Sequence, residues 1–432
     1  MPKDTTMPGD APWGGRFGVS SPLVALLAAN AVSQVGNTLT HVAILWFVLE
    51  TSGSAARAGL AALLMALPFV VAGLLGGALV DRLGYKRTSV LSDLASGLTV
   101  ALIPLLHHTA GLAFWQLLAL VFLGALLDAP GEAARQSLVP DLARAGGVGL
   151  ERVNGANEAI RRLALLLGPP FAGGLIAALG PSTALVIDAV TFALSAALVV
   201  AVIPGAPAVG ERRAATRYRD EVVEGLRFIV GAPTVRALIV TLSIAYAIGT
   251  PLIAVVLPVY VRNASGSAAE LGLVLAGFGA GSLLGTLAFG WVGHRLPRRP
   301  TLSVALLLAG MPLFVLAATP PLAGTVAALA FRGLAFGPVT PLAMTVLQEQ
   351  IPADLRGRTF ATQMAFSAAV VAVGMGLAGV LIDAVGLRGT LLGMGTVYVA
   401  VALSPLVTPA VRTAAPQQAS DVVRPSGEPP GA

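Results

Sequence analysis

The chain has no cysteine among its 432 residues, so disulfides, thiolate nucleophiles and cysteine metal sites are excluded. Charge is almost as scarce. Asp, Glu, Lys and Arg make up 11% of the residues, where a soluble domain carries about 25%. A soluble domain with a large core is therefore excluded. No G-x-x-x-x-G-K-[ST] phosphate loop occurs, which argues against ATP as the direct energy source. No metal-ligand cluster or nucleophile constellation stands out, so neither a cofactor nor an enzymatic activity is expected. A cleavable signal pattern is also missing. Residues 1–20 are polar and rich in Gly and Pro. The first apolar segment, about 28 residues, is too long for a signal core and reads as a retained span.

The rest of the chain is strongly apolar. Hydrophobic residues make up 56%, and glycine alone numbers 50. Mean hydropathy is +0.84. Small residues let membrane helices approach closely, where van der Waals packing replaces the hydrophobic effect. With about 20 apolar residues needed per crossing, twelve spans are expected at 22–50, 57–80, 88–107, 112–134, 153–178, 182–203, 234–261, 270–292, 301–318, 322–347, 357–383 and 388–409. A count of eleven or thirteen would move one terminus to the other side.

The loops test that count. Bases gather in alternate loops: Arg82, Lys86 and Arg87; Arg135, Arg144 and Arg152; Arg212 to Arg227; Arg295, Arg298 and Arg299; Arg356 and Arg358. The intervening loops hold Arg57, Arg262 and Arg388. This asymmetry places the basic loops and both termini in the cytoplasm of a multi-pass cell-membrane protein. The net charge of +6 sits in short loops between spans, so no nucleic-acid partner is expected.

The expected organisation is all-α. A cytoplasmic tail at 1–21 precedes a six-helix bundle at 22–203. A linker at 204–233 carries an interfacial helix at Tyr218 to Val230, with apolar residues at helical spacing. A second six-helix bundle at 234–410 is followed by a tail at 411–432, whose Pro, Gly, Ser and Gln cannot build a core. The two halves read alike. LGPPFAGGLIAALG at Leu167 aligns without gaps on VGMGLAGVLIDAVG at Val373, and AGLLGGAL at Ala72 matches AGSLLGTL at Ala280. Two similar bundles suit alternating access around a central site. A monomer is expected.

The string GALVDRLGYKRT, Gly77 to Thr88, ties spans 2 and 3 with one acid, three bases and two glycines. The bases Arg82, Lys86 and Arg87 serve topology, but Asp81 does not, so Asp81 is a candidate latch. Other ionisable groups lie inside spans, where they are functional candidates. Asp93, Asp128, Glu132, Arg135, Arg161 and Arg162 cluster toward the basic loops and read as a gate or a static network. Asn30, Gln34, Asn37 and His41 are spaced 4, 3 and 4 apart and form one polar stripe expected to line a cavity. His41 either carries protons or only hydrogen-bonds. Arg332 lies about 15 Å into the tenth span. It is expected to face a cavity or an acid, with Asp188 one possible partner.

The loop resembles the major facilitator superfamily pattern G-x-L-x-D-R-x-G-R-K/R. Gly77, Leu79, Asp81, Arg82, Gly84, Lys86 and Arg87 fit, and Tyr85 stands where the family has Arg. The resemblance covers all twelve spans. It implies that Asp81 faces the amino terminus of helix 11, with Gly77 allowing that helix close. Gly168, Pro169, Gly173 and Gly174 resemble the antiporter motif of helix 5, with Ala172 as a departure. Helix 4 lacks the mid-membrane Arg of many drug:proton antiporters. The runs NAVSQVGNTLTHVAILWFVLETSGSA, ARQSLVP and IDAVTFALSAAL look like the macrolide-efflux and enterobactin-exporter branch. That branch implies export of a drug, siderophore or secondary metabolite driven by proton entry. Import on the same fold, a channel, and a receptor or scaffold without transport remain as other readings.

Overall fold

The computed structural model describes residues 21–203, 215–352 and 355–407. The two expected tails lie outside the described residues, as do the side chains at 69–82, including the latch candidates Gly77, Asp81 and Arg82. Every regular element among the described residues is helical. A lipid environment leaves little alternative, because each backbone N–H and C=O must be satisfied within the protein.

The elements run α1 (Ser21–Ser52), α2 (Ala55–Leu83), α3 (Tyr85–Thr109), α4 (Phe114–Ala145), α5 (Leu150–Val202), α6 (Ala215–Gly231), α7 (Pro233–Pro251), α8 (Leu257–Ala264), α9 (Ala268–Val292), α10 (Arg298–Leu316), α11 (Leu322–Phe336), α12 (Val339–Gln350) and α13 (Arg356–Val407). Among the described residues, nine helices are long and apolar enough to cross a membrane. Two of the nine run 51 and 46 residues, about twice one crossing. Each breaks at a glycine, Gly180 (φ 79°, ψ 160°) in α5 and Gly386 (φ 78°, ψ 164°) in α13. That backbone conformation is open to glycine and closed to β-carbon residues. Both breaks fall where the sequence separates spans 5 from 6 and 11 from 12.

Proline shapes two other helices. A π turn at Leu252–Val256 joins α7 to α8 just before Pro258. Pro258 has no N–H for the carbonyl four residues back, and the Leu257 N–H reaches Leu252 instead. The expected span 322–347 divides into α11 and α12 at Gly337 and Pro338. The Gly337 carbonyl accepts a hydrogen bond from Thr286 Oγ1 at 3.1 Å across the α9 interface. The expected interfacial helix is α6. It lies on the start of α13, with Arg358 Nη1 at 2.5 Å from Glu224 Oε2.

Packing sorts the helices into two groups. In the first, α1 packs on α5, α3 on α4 and α5, and α2 on α4. In the second, α9 packs on α11, while α10 and α7 pack on α13. Two seams join the groups: α2 against α13, and α5 against α9. Both close on the face opposite the basic loops, through glycine. An added Cβ on Gly379 would lie 2.4 Å from the Ala55 carbonyl, and one on Gly173 would lie 2.3 Å from that of Ala268. Such contact demands glycine and supplies the dispersion energy that membrane helices depend on.

The α9–α11 seam is tighter still. A Cβ on Gly281 would sit 1.9 Å from the Ala330 carbonyl, whereas one on Gly290 meets nothing within 4 Å. Gly281→Ala should therefore cost about 1–3 kcal/mol by overpacking and lower the unfolding midpoint of detergent-purified protein by several degrees. Gly290→Ala should leave it unchanged, and equal midpoints would contradict the seam.

Candidate transport site in the first group of helices

Polar groups inside the first group converge on Arg135 of α4. Its Nη1 lies 2.6 Å from Asp93 Oδ1 of α3, and its Nη2 donates to Ser33 Oγ of α1 at 3.0 Å. The other carboxylate oxygen, Asp93 Oδ2, accepts from Ser195 Oγ of α5 at 2.7 Å. The pair is sealed, with side-chain exposures of 2% and 0%. One turn before Arg135, Gly131 brings α3 close, since a Cβ there would lie 2.7 Å from that of Ser92. Four helices thus meet at one ion pair. Breaking a buried pair of this kind costs about 3–5 kcal/mol, because the surviving charge is stranded.

Two further buried acids form no salt bridge among the described residues. Asp128 of α4 accepts from Asn37 Nδ2 of α1 at 3.2 Å, and its Oδ1 is buried with no hydrogen bond. Asp188, fully buried on α5, accepts from Thr40 Oγ1 of α1 and from Thr191 Oγ1 at 3.1 Å. Gly36 admits it, since a Cβ there would lie 2.6 Å from Asp188 Oδ1. Between α1, α3 and α4 lies a cavity of about 60 Å³, lined by Asn37, Thr40, His41, Ser96, Asp128 and Phe192 among others. A site needs only about 10–15 Å³ to hold a water molecule, but about 300–1,000 Å³ for a drug-sized ligand. This cavity has room for water but not for a drug-sized ligand.

The structure brings together some of the expected residues and separates others. Of the polar stripe, Asn37 and His41 reach the cavity, while Asn30 donates to Asn157 at 3.2 Å. The Gln34 backbone carbonyl accepts from Thr38. Within the expected cluster, Asp93 and Arg135 pair. Asp128 instead turns to the cavity, and Glu132 accepts from Gln136 at 3.3 Å. Arg161 and Arg162 both bind Glu158 on their own helix, all three at least 43% exposed, and take no part in the Arg135 network.

In the link between α2 and α3, Gly84 supplies a positive φ of 77°, and Lys86 Nζ donates to the Val200 carbonyl at 2.9 Å. Arg87 is exposed. In the helix 5 motif, Gly168 faces Thr38. Gly272 approaches the Pro169 carbonyl, Gly173 enters the α9 seam, and Gly174 meets nothing within 4 Å.

The suggested Asp188–Arg332 pairing is corrected. Arg332 lies in the second group, 1% exposed, where Nη1 donates to the Ala309 carbonyl and the guanidinium stacks 4.8 Å over the Tyr398 ring. A cation–π contact and a carbonyl engage it in place of an acid, while its Nε is buried with no hydrogen bond.

The fold agrees with the comparisons. A family profile described as "Transmembrane secretion effector" matches residues 21–426. The chain belongs to this family of major facilitators. Among curated relatives, the family member is 34% identical to the multidrug efflux pump Tap of Mycobacterium tuberculosis, over 94% of this chain and 98% of that protein. It is 22% identical to macrolide efflux protein A of Streptococcus pyogenes, over 87% and 93% of the two chains. In fold it resembles the solved nucleoside transporter NupG at a TM-score of 0.73, with 11% identity over 89% of this chain and 98% of that one.

Sequence reasoning missed Ser33, Thr40 and Ser195, which carry no signal beyond being hydroxyls in apolar helices. The ion pair has a direct test. Arg135→Leu should destabilise the protein by about 3–5 kcal/mol, read as a lower unfolding temperature in detergent, and adding Asp93→Asn should recover part of the loss. A double variant no more stable than the single one would contradict the pairing.

Proposed function

We propose that this chain exports small hydrophobic or amphiphilic compounds, such as antibiotics, siderophores or secondary metabolites, by alternating access in exchange for protons. The observation that carries the coupling is the pair of buried carboxylates without a salt bridge among the described residues, Asp128 and Asp188, beside a water-sized cavity on the polar stripe of α1. A lone buried charge in a membrane is costly and marks ion or proton pathways. A proton bound at Oδ1 of Asp128 neutralises the site without disturbing the Asn37 bond. His41 and water in the cavity supply the route. The named activity of the Tap relative supports drug export.

Twelve spans in two six-helix bundles follow if α5 and α13 each cross twice and α2, which is not among the nine, crosses as well; the basic loops then place both termini in the cytoplasm of a plasma-membrane monomer. The seams closed at Gly173 and Gly379 then lie outside, so this conformation opens inward. On that reading the drug enters between the bundles, and the proton site within the first bundle answers to its arrival. Asp81 remains the proposed cytoplasmic latch. When the inner side closes it would meet the amino terminus of the eleventh span.

Expression in a drug-sensitive, efflux-deficient host should lower accumulation of at least some compounds in a broad panel, and a proton uncoupler should abolish the difference. Asp128→Asn should remove uncoupler-sensitive efflux at normal membrane levels. Retained uncoupler-sensitive efflux in that variant would sink the proton-site assignment. Asp81→Asn should slow transport without affecting insertion.

A further inference from the structure

One carboxylate outside the Arg135 network bridges the two groups of helices. Asp383, on α13, reaches across to the first turn of α2. Its Oδ2 accepts from Ser54 Oγ at 2.9 Å and from the Ala56 N–H at 3.0 Å, and its Oδ1 accepts from the Ala55 N–H at 3.2 Å. Ser54 Oγ in turn accepts from the Arg57 N–H at 3.2 Å. The first N–H groups of a helix have no partner within it and carry partial positive charge, so a carboxylate there is stabilised by hydrogen bonds and by the helix dipole. Here the carboxylate comes from the opposite group. It sits one turn beyond Gly379, whose missing side chain allows Ala55 and Gly59 to touch α13.

We propose that Asp383 is the bolt of an outer gate, holding the α2–α13 seam shut in this conformation and releasing α2 when the outward-open state forms. The proposal rests on the alternating-access reading above. The sequence supports it twice. Gly379 to Asp383 reads GVLID, and Gly77 to Asp81 reads GALVD. The same Gly-x-Leu-x-Asp string thus precedes the Gly386 break of α13 and closes the sequence of α2, with the acid four residues after the glycine in both. With Asp81 the latch proposed above for the inner side, Asp383 is its counterpart on the outer side, and on this reading the two engage in alternation.

The twin seam is a built-in control. Residues 52–60 read SGSAARAGL and residues 265–273 read SGSAAELGL, so α9 starts as α2 does. Gly173 of α5 touches Ala268 there as Gly379 touches Ala55. The residue of α5 aligned with Asp383 is Ala177, and the α9 start is capped within its own chain segment by Ser267, which accepts from the Glu270 N–H at 3.4 Å. The contact recurs without the bolt, so close packing and latching are separable.

The absence of cysteine gives a clean background for the test. Met65 lines the cavity from α2 and is 4% exposed. In a full-length Met65→Cys protein on intact cells, reaction with a membrane-impermeant maleimide added outside measures opening of the outer gate. Adding Asp383→Ala should raise the labelling rate about threefold to tenfold, the loss expected for a charged helix cap. Adding Ala177→Asp, which places a carboxylate in the twin seam, should slow it. An unchanged rate with Asp383→Ala present at normal membrane levels overturns the proposal. If that variant fails to reach the membrane, an unchanged rate with Ala177→Asp overturns it instead, and a slower rate supports it. Labelling needs no transported drug, so faster labelling in a protein that exports nothing would uphold the bolt and reject the export reading.

Discussion

The Arg135–Asp93 ion pair is the contact on which the first group of helices depends. It lies where water cannot screen it, and it uses donors or acceptors from α1, α3, α4 and α5 at once. Hydrophobic burial does little to hold helices together inside a lipid, because the lipid is as apolar as they are. Directional polar contacts and close backbone packing take over. The pair fixes the rotation of α4, and that rotation turns Asp128 toward the cavity and Asn37 rather than toward lipid. The candidate proton site is thus positioned by an ion pair that takes no part in carrying the proton.

The second group is organised differently. Its buried cation, Arg332, meets a carbonyl and an aromatic face, and among the described residues nothing there resembles the acid-rich core of the first group. The chain repeats its helices but not its chemistry. Under the proposed exchange mechanism, the asymmetry would put proton handling in one bundle and leave the other as the body against which it rocks. Glycine seams make that rocking possible, since backbone-to-backbone contact is strong over a short range and has few interlocked side chains to separate.

Much of this was legible in the sequence. Hydropathy marked apolar stretches that fold as helices, Gly180 and Gly386 fell at the expected divisions, and the charged helix with apolar residues at helical spacing became α6. The polar stripe of α1 was visible at helical spacing, and Asn37 and His41 do reach the cavity. Partner choice was not legible. Asp128 and Glu132 share a face of α4, yet one meets Asn37 and the other Gln136. Asp188 was one possible partner for Arg332, but the two occupy different groups of helices. Asp383 escaped notice because it sits near the end of an apolar span, where an acid passes for an interfacial residue. Only its repeat of the Gly-x-Leu-x-Asp string marks it.

By itself the sequence determined that this is a helical membrane protein with a repeated sequence pattern, bases gathered in alternate loops and a facilitator-type loop after its second apolar stretch. Those properties follow from hydropathy and local spacing, which a linear chain displays in full. Tertiary structure alone decided which acids are paired and which face the cavity, and which glycines carry helix contacts. It also decided that a carboxylate near the end of one bundle caps a helix of the other. These depend on helix rotation and on contacts between residues more than three hundred positions apart (Ser54 and Asp383 are 329 apart). No local pattern encodes such a meeting, because the energy that selects it arises only when the two bundles touch.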